Sequence, residues 1–277
     1  TFENCEKYPL FLNNKGSATI RDSKFKNSGK AAIFLLNSST LTGLRNEFDI
    51  SQNGIILSNH SLVILSHSTF SNIVRSSIHA CDQSEVSISK CNFSHIGNGL
   101  KFDNSKGSLK NCHIQDVTRH GVIIVGSNSD PLLSENTIDN CGGFNVFVSD
   151  YATPKIISST FRNQANYNLS ISNQAMPLIA HNKIIGYTSA IFAFNDASPV
   201  ILKNDITSPN TVEAVVWGLP FYIQSENSSV APHFQQSKHG QIDVFHLPDD
   251  SLVFEIETVK GKFRITFSED YKQVEYY

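Results

Sequence analysis

A large apolar residue returns every 21 to 24 residues from Phe2 to Ile206. The anchors are Phe2, Phe25, Phe48, Phe70, Phe93, Ile114, Ile138, Phe161, Ile184 and Ile206, in the recurring context S/N/C-x-[F/I]-x-x. A unit of that length cannot bury its own apolar face and must stack on its neighbours, so a solenoid of about ten coils is expected. A hydrophobic content of 40% over 277 residues suffices for its core.

Spacing within the unit selects the kind of solenoid. Two residues before the anchors stand Ser23, Asn46, Ser68, Cys91, Cys112, Asn136, Ser159, Asn182 and Asn204, all small and able to hydrogen-bond. A second apolar position follows at Leu10, Ile33, Ile55, Ile78, Leu100, Val122, Val146, Leu169, Ile191 and Val215. Four residues later Asn or Asp recurs, as at Asn14, Asn37, Asn59, Asp82, Asn104, Asp150, Asn173 and Asn195, with Gly126 in the same place; these residues tolerate left-handed corners. A third apolar position lies five residues before most anchors, as at Ile20, Leu65, Ile88 and Leu109, with Gly43 taking it once. Three short alternating strands per coil describe a parallel β-helix. Helical solenoids need roughly 33 to 47 residues per repeat and are excluded.

The step fails near Trp217. Residues 1–216 are therefore read as the parallel β-helix and residues 217–277 as a C-terminal cap, in which LVFEIETVKGKFRITF alternates around KGK as an antiparallel hairpin. Phe2 already holds an anchor position, so the chain is expected to begin inside a coil and to be a piece of a longer protein.

A net charge of −3 excludes the broad basic footprint of a nucleic-acid binder, and no apolar run approaches the roughly 18 residues of a membrane span. The five cysteines, Cys5, Cys81, Cys91, Cys112 and Cys141, form no CxxC pair and no zinc spacing; Cys91 and Cys112 are read as small inward residues stacked on each other. The odd count leans toward a reducing, intracellular compartment. Sequons at Asn37, Asn59, Asn92, Asn168 and Asn227 arise readily in a chain this rich in Asn and Ser and are given little weight.

In NDASPVILKNDI, and in the copies SDYATPKIISSTF and NQAMPLIAHNKI, the chain resembles the right-handed β-helix repeats of the pectin-lyase-like superfamily. It looks most like the repeats that sit beside other modules in eukaryotic proteins such as F-box proteins. The resemblance implies the fold over roughly residues 2–216. It does not imply one activity, since the superfamily includes lyases, hydrolases, epimerases, tailspikes and non-catalytic modules. It also implies that any active site would lie in a groove on the outer surface, with acidic residues and an Arg or Lys base.

Two outward surfaces are candidates. On the first strand, Asp139 above Arg162 and Lys183 above Asp205 make the one dense charged patch, read either as base and carboxylate for a sugar substrate or, preferably, as cross-strand ion pairs. Carboxylates do not cluster in threes there, so no metal and no cofactor is expected. On the second strand, the residues after the inward anchors include Phe34, Ile56, Ile123, Phe147, Phe192 and Val216, interrupted by His79, Lys101 and Ser170. An apolar column on a solvated face marks an interface with a protein partner or a second copy, or a face covered by the rest of the chain. Stacking of Phe147 and Phe192 on a glycan is the third reading.

Overall fold

The computed structural model describes residues 1–163, 167–186, 189–195, 197–207, 210–215, 222–225, 241–246, 252–258 and 261–267; for Ser189 and from Asn210 onward only backbone pairing is considered. The described residues form no helix. Their strands wind into one long parallel assembly, three strand positions per coil, followed by a three-stranded antiparallel sheet.

Every anchor pairs with the next in register: Phe2 with Phe25, then Phe48, Phe70, Phe93, Ile114, Ile138, Phe161, Ile184 and Ile206. Nine coil steps result, each about 4.8 Å long. From Phe25 to Ile184 these side chains are fully buried. The first five phenylalanines stack with centroids 4.5 to 5.1 Å apart and planes within 9°. In the third-strand column Gly43 keeps its place between Ile20 and Leu65. A Cβ there would meet Leu65 Cδ2 at 2.3 Å and Asn46 Nδ2 at 2.9 Å, so neighbouring side chains already occupy its volume.

The small polar residues before the anchors form a continuous ladder through the interior. The backbone N–H of Ser23 donates to Asn46 Oδ1, that of Asn46 to Ser68 Oγ, and so on through Cys91 Sγ, Cys112 Sγ, Asn136 Oδ1, Ser159 Oγ and Asn182 Oδ1 to Asn204 Oδ1, at 2.8 to 3.4 Å. Asn136, Asn182 and Asn204 also donate from Nδ2 to the carbonyls of Leu109, Ile156 and Ile179, each at 2.8 Å. Cys91 and Cys112 take ordinary places in this series as free thiols. The neighbouring Cys91 thiol, and then burial, push Cys112 up in pKa, and burial pushes Cys141 up to about 12. A second ladder runs from Ser39 to Ser61 to Ser84 at another corner and resumes between Ser105 and Ser129.

The Asn-rich corner adopts the left-handed conformation expected of it, from Asn14 at φ 52° to Asn195 at 52°, with Gly126 at 94°. The residue just before the ladder is left-handed as well, and there Asp22, Arg45, His67, Lys90, Asn111, Glu135, Ser158, His181 and Lys203 have φ between 46° and 57°. Apart from Asp22 and Asn111, their identities carry no corner signature. They are held by the ladder bond of the residue that follows each of them.

The last coil departs from the expected register. Ile191 pairs with Val212, not Val215. Six residues separate Ile206 from Val212, where earlier coils use seven or eight; the shorter corner brings the first valine of TVEAVV into the column. Parallel pairing then continues through Tyr222–Ser225, past the boundary drawn at residue 216. Farther on, Leu252–Thr258 and Gly261–Phe267 pair antiparallel, as their alternation suggests, and Gln241–His246 adds a third strand.

The ladder makes a stability prediction. Asn182→Ala strips an acceptor from the Ser159 N–H and a donor from the Ile156 carbonyl, both buried. A loss of about 3 kcal/mol is expected in chemical denaturation, against less than about 0.5 kcal/mol for the exposed Lys183→Ala.

Candidate functional site

The first-strand outer face keeps its expected register, with Lys24 beside Glu47, Thr137 beside Thr160, Asp139 beside Arg162 and Lys183 beside Asp205. The charged quartet does not converge. It is strung along four successive coils, so Asp139 and Asp205 stand about 14 Å apart along the axis. The carboxylate pair of a glycosidase is separated by roughly 5 to 9.5 Å.

Asp139 instead approaches His113 on the coil before it, Oδ2 to Nε2, at 3.5 Å. The two occupy the two outward columns diagonally, a relation hidden from a reading of one column at a time. Neither Asp139 Oδ1 nor His113 Nε2 has a hydrogen-bond partner. A carboxylate hydrogen-bonded to an imidazole can orient it for acid–base work; here the two stand close without that bond. Among the described residues, no three His, Cys, Asp or Glu side chains gather closely enough to hold a metal ion.

The second-strand outer column runs Phe11, Phe34, Ile56, His79, Lys101, Ile123, Phe147, Ser170 and Phe192. Val216 lies outside the described residues, and the shifted register sets Glu213 beside Phe192 in its stead. Phe11 is 49% exposed, Phe34, Ile56, Ile123, Phe147 and Phe192 are half-buried, and Ser170 is fully buried. Further rings come from the position two residues before the inward anchor: Tyr8, His120, Phe144 and Tyr167. Strict alternation would turn these inward, but there the chain is rounding the corner and they stack on the outer column.

The result is an aromatic band. His120 lies 5.3 Å from Phe144 and 5.7 Å from Phe147, Phe144 lies 6.1 Å from Phe147, and Tyr167 and Phe192 are 4.9 Å apart. Phe192 and Phe194 continue it at 4.9 Å. These five pairs are inclined by 16° to 29°, offset-stacked arrangements.

Residues 1–137 and, in a second overlapping match, 120–231 fit the family described as right handed beta helix region. The chain belongs to that family. Among solved structures, this right-handed β-helix is similar to the surface adhesin PfbA of Streptococcus pneumoniae, with 10% identity over 91% of this chain and 88% of the adhesin at a TM-score of 0.45. The A-module of the Azotobacter vinelandii mannuronan C-5 epimerase AlgE6 shares 10% identity over 78% of this chain and 88% of its own, with a TM-score of 0.36. Tailspike protein 2 of the Escherichia coli bacteriophage CAB120 shares 9% over 98% of this chain and 59% of its own, with a TM-score of 0.37. At these values the likeness concerns winding alone. No curated protein matches the chain.

One member of the band of this β-helix titrates abnormally. Burial, and then the charge of Arg119, lower the pKa of His120, while its Nδ1 accepts a hydrogen bond from the Phe144 N–H at 3.1 Å. Protonation would set a donor against that N–H. Above the unfolded value of about 6.5 both states are neutral. As pH falls below it the unfolded chain takes the proton first, so stability declines from about pH 6.5 down to the lowered folded value. A His120→Phe variant is expected to show a shallower fall between pH 7 and 5 in denaturant titrations; an unchanged slope would assign the effect to other groups such as His79, whose pKa burial also lowers.

Proposed function

We propose that this β-helix is a non-catalytic recognition module that presents the outer face of its second strands to a protein partner. The aromatic band from His120 to Phe194 carries the proposal. Half-buried rings in contact make a contiguous apolar strip of the kind found at interfaces, where aromatic residues act as anchors. Stacking a sugar requires an open ring face, and here the rings stack on one another, which favours a protein surface over a glycan. The finer resemblance to repeats that accompany other modules, as in F-box proteins, agrees with a part that binds while another acts. Residues 217–277, which contain the antiparallel strands Gln241–His246, Leu252–Thr258 and Gly261–Phe267, are proposed as the cap of the open end.

Phe147→Glu is the test. Replacing that ring should abolish capture of the partner by the immobilised protein while costing about 1 kcal/mol in thermal denaturation, the worth of its stacking. A loss above about 3 kcal/mol marks Phe147 as covered core and removes the proposal.

The approach of Asp139 to His113 favours a second reading, an enzyme acting on carbohydrate with Arg162 or Lys183 as base. As a lyase, epimerase or glycosidase it requires unsaturated products, residues inverted at one sugar carbon, or new reducing ends from acidic or neutral polysaccharides. That turnover should disappear in Asp139→Asn and in Arg162→Ala; silence across the screen, or turnover that survives both substitutions, discards it.

A further inference from the structure

We infer that the antiparallel sheet of Gln241–His246, Leu252–Thr258 and Gly261–Phe267 packs on the outer face of the third strands in the last coils, where Leu178, Ala180, Val200 and Leu202 lie. Two outward columns flank the inward third-strand anchors. One passes from Thr19, Thr42 and Ile64 to Lys155, Leu178 and Val200, the other from Arg21, Leu44 and Ser66 to Ile157, Ala180 and Leu202. Their exposure changes along the axis. In the first column Ile64 is 42% exposed and both threonines are open to solvent, whereas Leu178 and Val200 keep 5% and 6%. Ala180 and Leu202 keep none. The outside of a coil loses its water only when another layer lies on it, so this end of the face is covered.

The register of the antiparallel strands identifies the cover. Ile242, Ile256 and Phe263 are partners, as are Val244, Phe254 and Ile265. Alternation puts these six on one side of the sheet and Asp243, Glu255 and Arg264, also partners, on the other. A sheet divided in this way needs a second layer for its apolar side, and an aligned sheet-on-sheet packing provides one. Continuity favours the same place. Among the described residues the last parallel strand, Tyr222–Ser225, pairs with Val200, Ile201 and Leu202 on the third-strand sheet. The cap of the open end thereby extends onto one side of the coil, the third-strand side, and leaves the second-strand band uncovered.

The experiment is a methyl NOE measurement on the full chain labelled at Ile, Leu and Val. Cross-peaks from Leu178, Val200 and Leu202 to Ile242, Val244, Ile256 or Ile265 are expected, and they should persist when labelled protein is diluted into unlabelled protein, as contacts within one chain do. Leu178→Asp should speed amide exchange across residues 252–267 at least about tenfold; Leu178→Ala replaces it should that variant unfold. Ile64→Asp, in the same column at its open end, should leave that exchange unchanged. Three results overturn the inference: no cross-peak between the two sets, cross-peaks seen only between copies in an isotope-filtered mixture, or exchange across 252–267 that ignores the Leu178 variants. Cross-peaks from the sheet to Ile123, beside Phe147, would place it on the second-strand band and remove the recognition reading as well.

Discussion

A buried corner of backbone has to find hydrogen bonds, and in this molecule each coil takes one from the side chain of the next. The ladder from Ser23 to Asn204 is that bond repeated. Its requirement is narrow: a short side chain with an acceptor, at one position per coil, in register. Serine, asparagine and cysteine all meet it, which is why two thiols sit in the series without any redox or metal chemistry being needed to explain them. Register follows, since a slip of one residue would turn the ladder outward and the anchors with it.

With register secured, the long inward and outward runs of rings among the described residues occupy different places, with a smaller outer cluster at Tyr8, Phe11 and Phe34. The inward stack runs from Phe2 to Phe93, after which Ile114, Ile138, Ile184 and Ile206 take most of the anchor positions. The long outer band begins at His120, where the inward aromatics thin out. Aliphatic anchors bury as well as aromatic ones, so the core does not require its rings to stop there. Nor does a solvated outer face require rings to begin. The core can be explained by packing alone, whereas the outer band is the feature on which the proposed recognition role rests.

What the sequence makes legible divides along the same line. Columns are visible because equivalent residues recur at one step, and nearly all of them pair as the spacing implies. Val215 and Val212 are three residues apart in a run where either satisfies the pattern, and only the length of the preceding corner decides between them. Left-handed corners are visible where Asn holds them and invisible where Arg45, Lys90 or Glu135 does, because those conformations are imposed by the neighbouring ladder bond. At the site, the outer column that contains Phe147 and Phe192 can be read by alternation. Tyr167 and Phe144 cannot, because alternation fails at a bend. The diagonal approach of His113 to Asp139 is likewise a property of two columns together.

In-register winding also constrains any catalytic reading of the first-strand face. Outward carboxylates differ by whole coil steps of about 4.8 Å along the axis, by two residues, about 6.6 Å, along one strand, or by both together. Asp139 and Asp205 are too many steps apart to act on one bond. Glu47 and Asp49 flank Phe48 on a single strand, within the separation of a catalytic carboxylate pair. Both are engaged, however: Glu47 pairs with Lys24, and Asp49 accepts from Ser71 Oγ at 2.9 Å and from Asn72 Nδ2 at 2.8 Å. Such bonds compete with a substrate hydroxyl or an attacking water for the same oxygens. The carboxylate pair with suitable spacing therefore has unsuitable surroundings, which weakens the hydrolase reading independently of the aromatic band.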